Sequence, residues 1–199
     1  MLRIGFVCEG PTDTPILEAV VEAVFGPRFE PRYIQPDRDN LGPRAPGGAG
    51  QVEKWCRRSG HALPYLLFDI DLLIVQLDGD RCGPLGVADA AGLCATIKRW
   101  LAAGAGDPRL VITIPMQASE AWLVAANLPA TPALEQRPHP EELLTGKQLL
   151  PRGKDGRSIK DRAIYHRLAL QLRDRLAEVR RTLPELDRFA GKLEAIRAR

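Results

Sequence analysis

The spacing of hydrophobic residues divides the chain into alternating strand-like and helix-like segments. Residues 3–8 carry a two-residue period, with Ile4, Phe6 and Cys8 on one face and Val7 on the other, which predicts a strand. From residue 13 the period lengthens. Ile16, Leu17, Val20, Val21 and Val24 recur at helical steps, so a helix is expected to about residue 25. Pro11 suits its first turn and Gly26-Pro27 stops it. Phe29, Tyr33 and Ile34 mark a second strand over 29–36. Val52, Trp55 and Cys56 mark the inward side of a helix over 51–59. Residues 61–68 fit either a short strand or a loop. Residues 72–77 are nearly all apolar and predict a buried central strand, with Asp69 and Asp71 as surface carboxylates at its entry end. A helix over 87–103 follows, with Ala91, Cys94, Ile97 and Leu101 at helical spacing. Then come a β-branched strand over 109–114 and a short helix over 116–127 that turns Ala121, Leu123 and Val124 inward. Trp122 in that helix fits either a cover for a site or a core filler. Strand and helix alternate, which is the pattern of an α/β fold.

The remainder reads as helical. A proline-rich connection spans 128–140, a short helix 141–150 and a basic loop 151–157. A long helix is expected over 158–183, with Ile159, Ala163, Leu168, Leu172, Leu176 and Val179 as its packed stripe, broken by Pro184. A last helix over 186–198 uses Phe189, Leu193 and Ile196. The organisation is therefore an α/β unit, residues 1–127, and a helical extension, residues 128–199. Residues 37–50 are rich in Gly, Pro and charge and predict a loop. Its Gly47-Gly48-Ala49-Gly50 run lacks the Lys-Ser/Thr of a phosphate-binding loop, so nucleotide binding is not expected there.

Composition narrows the class. Of 199 residues, 45% are hydrophobic and 27% charged, ordinary for a soluble globular chain. No apolar run approaches the length of a membrane span, and the N-terminus is too short and strand-like for a signal peptide, so a cytoplasmic location is expected. The four cysteines are scattered without a C-x-x-C pair or a histidine cluster, which argues against zinc and for reduced thiols. The net charge of +3 conceals an asymmetry. Residues 1–146 hold 13 Lys/Arg and 18 Asp/Glu, a balance of −5, whereas residues 147–199 hold 15 and 7, a balance of +8. An acidic half beside a basic tail suits a phosphate-bearing partner, and solvated arginine faces on amphipathic helices account for the tail equally well.

The candidate chemistry sits where strands end. Glu9 follows the first strand, Asp78-Gly79-Asp80 follow the central one, and Glu120 opens the short helix after the fourth. Each alone has a bland explanation, since an acid in the first turn of a helix complements its dipole. Sites in open α/β sheets lie beyond the carboxyl ends of the strands, and four acids on that edge repel one another unless a cation neutralises them. Hard carboxylate oxygens favour Mg²⁺, and ions so held activate water against a phosphodiester.

Phe6-Val7-Cys8-Glu9-Gly10-Pro11-Thr12-Asp13 and Leu77-Asp78-Gly79-Asp80 resemble the strand–Glu–Gly turn and the Asp-x-Asp motif of the Toprim superfamily, in the family order. Ile114-Pro115-Met116-Gln117-Ala118-Ser119-Glu120-Ala121-Trp122 looks like the small stand-alone Toprim-like proteins, related to nucleases of the overcoming-lysogenization-defect type. The resemblance covers residues 1–127. It implies a Rossmann-like, mainly parallel sheet of about four strands with helices on both faces. It implies that Glu9 is a general acid/base or metal ligand, that Asp78 and Asp80 bind Mg²⁺ (or Mn²⁺), that Glu120 is a further ligand, and that Lys160 supplies a cation for the scissile phosphate. The chain lacks the tyrosine nucleophile setting of topoisomerases and the extra modules of primases, which favours hydrolysis.

The expected function is a Mg²⁺-dependent nuclease acting on DNA or RNA, in a role such as phage defence. A non-catalytic subunit that docks nucleic acid or protein is one alternative. Another phosphoryl-transfer hydrolase is the other, because Asp78-Gly79-Asp80 is also similar to the nucleophile motif of haloacid-dehalogenase-like phosphatases. That motif, however, follows a first strand.

Overall fold

The computed structural model describes residues 1–36, 38, 39, 42, 43 and 47–199. Four strands form one all-parallel sheet: β1 (Leu2–Val7), β2 (Phe29–Gln35), β5 (Leu72–Gln76) and β6 (Leu110–Thr113), in the order β2-β1-β5-β6. A two-residue antiparallel pair, β3 (Arg38–Asp39) and β4 (Gly42–Pro43), falls within the expected 37–50 loop. Asp37, Asn40, Leu41 and 44–46 of that stretch lie outside the described residues.

Helices cover both faces. On one side lie α1 (Asp13–Phe25), α5 (Glu120–Asn127), α7 (Arg162–Asp174) and α9 (Pro184–Arg197), packed on Ile4, Phe6, Leu72, Ile74 and Val111. On the other lie α2 (Ala49–Ser59), α3 (Leu63–Asp69) and α4 (Ala90–Leu101), packed on Val7, Leu73, Val75 and Ile112. Neighbouring strand residues thus feed different cores. That is why β5 reads as an unbroken apolar run, as parallel strands covered on both faces do. The α/β architecture expected from the alternating periods is the one observed.

The strand order fixes where a site can form. β1 leads through α1 to β2 on one side, whereas β5 leads through α4 to β6 on the other. Chain direction across the sheet reverses between β1 and β5, and their carboxyl ends open the crevice in which doubly wound sheets bind ligands.

Three segments depart most from the sequence reading, while the helices expected over 87–103 and 116–127 start late, at Ala90 and Glu120. Of residues 61–68, read as strand or loop, 63–68 belong to α3 and 61–62 form the turn before it. Pro64 suits its first turn, and Leu63 and Leu67, four apart, are its buried positions, while Tyr65 and Phe68 are 74% and 79% exposed. The long helix over 158–183 is shorter and broken. Asp161 caps α7 by accepting the Ile164 N–H at 3.0 Å, so the helix starts at Arg162. Arg175 leaves helical geometry before α8 (Leu176–Val179). Ser158 instead bridges to Arg152 in extended conformation, and Ile159 lies 46% exposed, outside the packed stripe. The 141–150 helix ends early, as α6 (Glu141–Gly146).

The extension shares the first core. Tyr165, Leu168 and Leu172 of α7 and Leu186, Phe189 and Leu193 of α9 are buried among the residues of α1 and α5. No helix among the described residues is long and apolar enough to cross a membrane.

Candidate active site

The crevice between β1 and β5 is closed by a ring of hydrogen bonds. Glu9 stands two residues beyond β1, and its N–H donates to Oε1 of Gln76 at 3.1 Å. Gln76, the last residue of β5, donates from Nε2 to Oδ1 of Asp78 at 2.7 Å. The Asp78 N–H closes the ring on Oε1 of Glu9 at 2.7 Å. Gly79 then turns the chain against the backbone after β6. Its N–H donates to the Pro115 carbonyl at 2.6 Å, and an added Cβ would collide with the Met116 carbonyl oxygen. This close approach, rather than freedom of φ, requires the glycine of Asp-Gly-Asp. Gly47 meets the Glu9 carbonyl in the same way, and the Gly48 N–H donates to it at 2.6 Å, so the stretch after β2 ends against the Glu9 turn.

A second layer lies behind the ring. Asp13, at the start of α1, is buried and accepts the Gly10 N–H at 2.7 Å and the Ser119 hydroxyl at 2.6 Å. Glu120, almost fully buried at the start of α5, accepts at Oε1 both the Tyr165 hydroxyl, 2.9 Å away, and the Lys160 ammonium, 2.6 Å away. Lys160 reaches it from the extended chain before α7 while remaining half exposed. Asp80 lies in the short 3-10 turn Gly79–Arg81 and is exposed.

The electrostatics are those of crowded, poorly solvated acids. Burial pushes the Glu9 carboxyl up to about 7. The Asp78 N–H opposes this, and the charges of Asp13 and Asp80 add to it. Burial likewise lifts Asp13 to about 6, with Glu120 adding and Ser119 and Gly10 opposing. Asp78 is held well above the carboxylate range by burial and then by Asp13, Glu9, Glu120 and Asp80. Burial raises Asp80 against the pull of Arg81, His139 and Lys160. Burial alone would lower Lys160, but the Glu120 charge keeps its ammonium above the usual lysine range.

The structure thus brings Glu9, Asp78, Asp80, Glu120 and Lys160 to one end of the sheet, with Glu120 engaged by Lys160 and Tyr165. Among the described residues, no three His, Cys, Asp or Glu side chains converge closely enough to hold a metal ion as they stand. The donors are nonetheless hard oxygens. Glu9 and Asp78 are each partly accessible, and no hydrogen bond from a described residue reaches Glu9 Oε2 or Asp78 Oδ2.

Sequence reasoning missed four contributors. Gln76 carried a signal, as the one polar residue in an apolar strand. Asp13 and Ser119 each sit in a helix-start pattern that explains them without a site. Tyr165 carried none, because its role depends on where α7 packs. Compared with known proteins, the chain matches no family model, no curated protein and no solved structure.

Proposed function

We propose that the chain is a Mg²⁺- or Mn²⁺-dependent nuclease of Toprim type. The observation that carries this reading is the Glu9–Gln76–Asp78 ring at the reversal point of the sheet, with two acids whose burial and crowding disfavour their ionised forms unless a cation offsets the charge. The chemistry of the donor set fits a hard divalent cation. Glu9, Asp78 and Asp80 would hold it, with Glu120 behind them. Bound there, the cation supplies charge stabilisation to the phosphate and its leaving oxygen.

The chain's own residues do the rest. Burial and crowding raise the Glu9 carboxyl, and a bound cation would favour its ionised form, which can take a proton from an attacking water. The Asp78 N–H fixes one of its oxygens and leaves the other for that transfer. Lys160, half exposed beside Glu120, offers its remaining N–H donors to a phosphate oxygen. The hairpin before it adds exposed Arg152, Lys154 and Arg157, a run of cations suited to a nucleic-acid backbone.

The test is incubation of the purified protein with plasmid DNA and with RNA in Mg²⁺ or Mn²⁺. Cleavage is expected, with a loss of roughly a hundredfold or more in Asp78→Ala and Glu9→Gln. Cleavage that persists when Asp78 and Asp80 are both alanine overturns the reading.

A second reading is a non-catalytic subunit that docks nucleic acid or protein. The lack of three converging acids among the described residues favours it. Calorimetric titration with Mg²⁺ separates the two, since the second reading predicts no heat of binding.

A further inference from the structure

A groove follows the free edge of β6. The sheet ends there, with α4 over one face and α9 over the other, and the space between them stays open. Its wider part is a cleft of about 370 Å³, at the lower end of the range for small-molecule sites. The cleft continues toward Leu110 and Asp107 as a second hollow that shares Cys94, Lys98, Ile112 and Lys192. Its walls are mainly apolar, among them Ala91, Ala95, Ile114 and Phe189.

The polar groups in it are unevenly charged. Lys98, Arg188 and Lys192 face two acids, Glu185 in the wider part, already bound to Arg188, and Asp107 in the second hollow, already bound to Arg109. Lys192 donates one N–H to the Ile112 carbonyl at 2.6 Å, and no carboxylate pairs with it among the described residues. An ammonium has three donors, so two remain. Burial, the largest influence on it, holds this ammonium below the usual lysine range, as expected of a cation short of an anion. Thr113 also lines the cleft. Its hydroxyl oxygen is sealed from solvent, so it borders the cleft without offering that oxygen to it.

We propose that this cleft binds a small amphipathic anion, a carboxylate or phosphate monoester on a compact apolar body, with Lys98 and Lys192 as its cations. An extended peptide adding a strand to β6 is disfavoured. The outward carbonyl of Ile112, which such a peptide would need, is taken by Lys192, a common way of blocking a sheet edge. The cleft shares no residue with the carboxylate site, so the inference stands apart from the nuclease reading.

Cys94 provides the readout. It lines the cleft and is partly exposed, whereas Cys8, Cys56 and Cys82 are buried. The intact protein is alkylated with N-ethylmaleimide in the presence of millimolar phenyl phosphate, benzoate or uncharged benzyl alcohol. At least one anion is expected to slow modification of Cys94 about tenfold while benzyl alcohol does not, and the better of the two distinguishes a phosphate from a carboxylate ligand. Lys192→Met removes the anion's partner and is expected to abolish protection. Ala95→Trp, built from an exposed position, fills the cleft and is expected to do the same with an unchanged circular dichroism spectrum. If Lys192→Met does not fold, Ala95→Trp decides alone. The proposal is overturned if neither anion protects, if benzyl alcohol protects equally, or if protection survives in the folded variants.

Discussion

Gln76 joins β1 to β5 through side-chain bonds at the point where backbone pairing stops. Replacement by leucine keeps the volume but leaves the Glu9 N–H and Asp78 Oδ1 without partners. A cost of about 1–3 kcal/mol is expected, read as a lower urea midpoint at constant slope. The acids beside it set a pH dependence. Glu9 rises from 4.5 to about 7 on folding and Asp13 from 3.8 to about 6. Between about pH 4 and 7 the folded chain therefore keeps protons that the unfolded chain has released, so stability falls as pH rises through that window. In the presence of a chelator the unfolding free energy from urea titration at about pH 8 should lie below that at about pH 5, by on the order of 1–3 kcal/mol. Glu9→Gln keeps an acceptor for the Asp78 N–H and should flatten the difference. A higher midpoint at the alkaline end would contradict this account. Glu9 and Asp78 were legible because each ends an apolar strand. Asp13 was not, because an acid in the first turn of a helix looks the same in sequence whether solvated or buried. Only Ser119, 106 positions away, makes the distinction.

At the scale of elements, caps decide where the extension's helices begin, and those starts place the side chains that reach the carboxylate site. Apolar spacing alone ran α7 back to residue 158. The carboxylate of Asp161 favours a start at Arg162, which leaves Lys160 on extended chain and able to reach Glu120. Helical spacing is legible there, but spacing alone does not rank it against a cap at Asp161. The start of α9 depends on a distant acid. Glu135 accepts the N–H groups of Glu185 and Leu186 and the indole N–H of Trp122, and it is almost fully buried. That contact settles the role of Trp122, which fills the core stacked on Phe189 with ring centroids 5.9 Å apart. Glu135→Ala removes a cap and strands a buried indole donor, so a loss of roughly 2–4 kcal/mol is expected in urea unfolding. Glu135→Gln, which keeps an acceptor, should lose less. Equal losses would mean that the carboxamide serves no better than no acceptor at all.

For the whole molecule, the charge asymmetry read from sequence has an internal destination. Lys160 pairs with Glu120, Arg162 with Glu18 and Arg173 with Glu22, and Arg197 donates to the Val24 carbonyl. The basic tail thus lies along the acidic half while Arg152, Lys154 and Arg157 stay exposed. The tail also completes a core. Tyr165, Leu172, Leu186, Phe189 and Leu193 are each at most 1% exposed, and burying a side chain of this kind contributes about 1.5–3 kcal/mol. Five of them amount to roughly the whole stability of a domain, about 5–15 kcal/mol. A chain ending at Asn127 would also expose the apolar side of α1, where Ile16, Leu17, Val20 and Val21 are now buried. Such a chain is expected to lack a cooperative thermal transition and to bind a hydrophobic dye, with dispersed amide resonances recovered only when residues 128–199 are present. A sharp transition from residues 1–127 alone would mean that the sheet and its second face suffice, and that the extension is bound to the α/β unit without being needed to fold it.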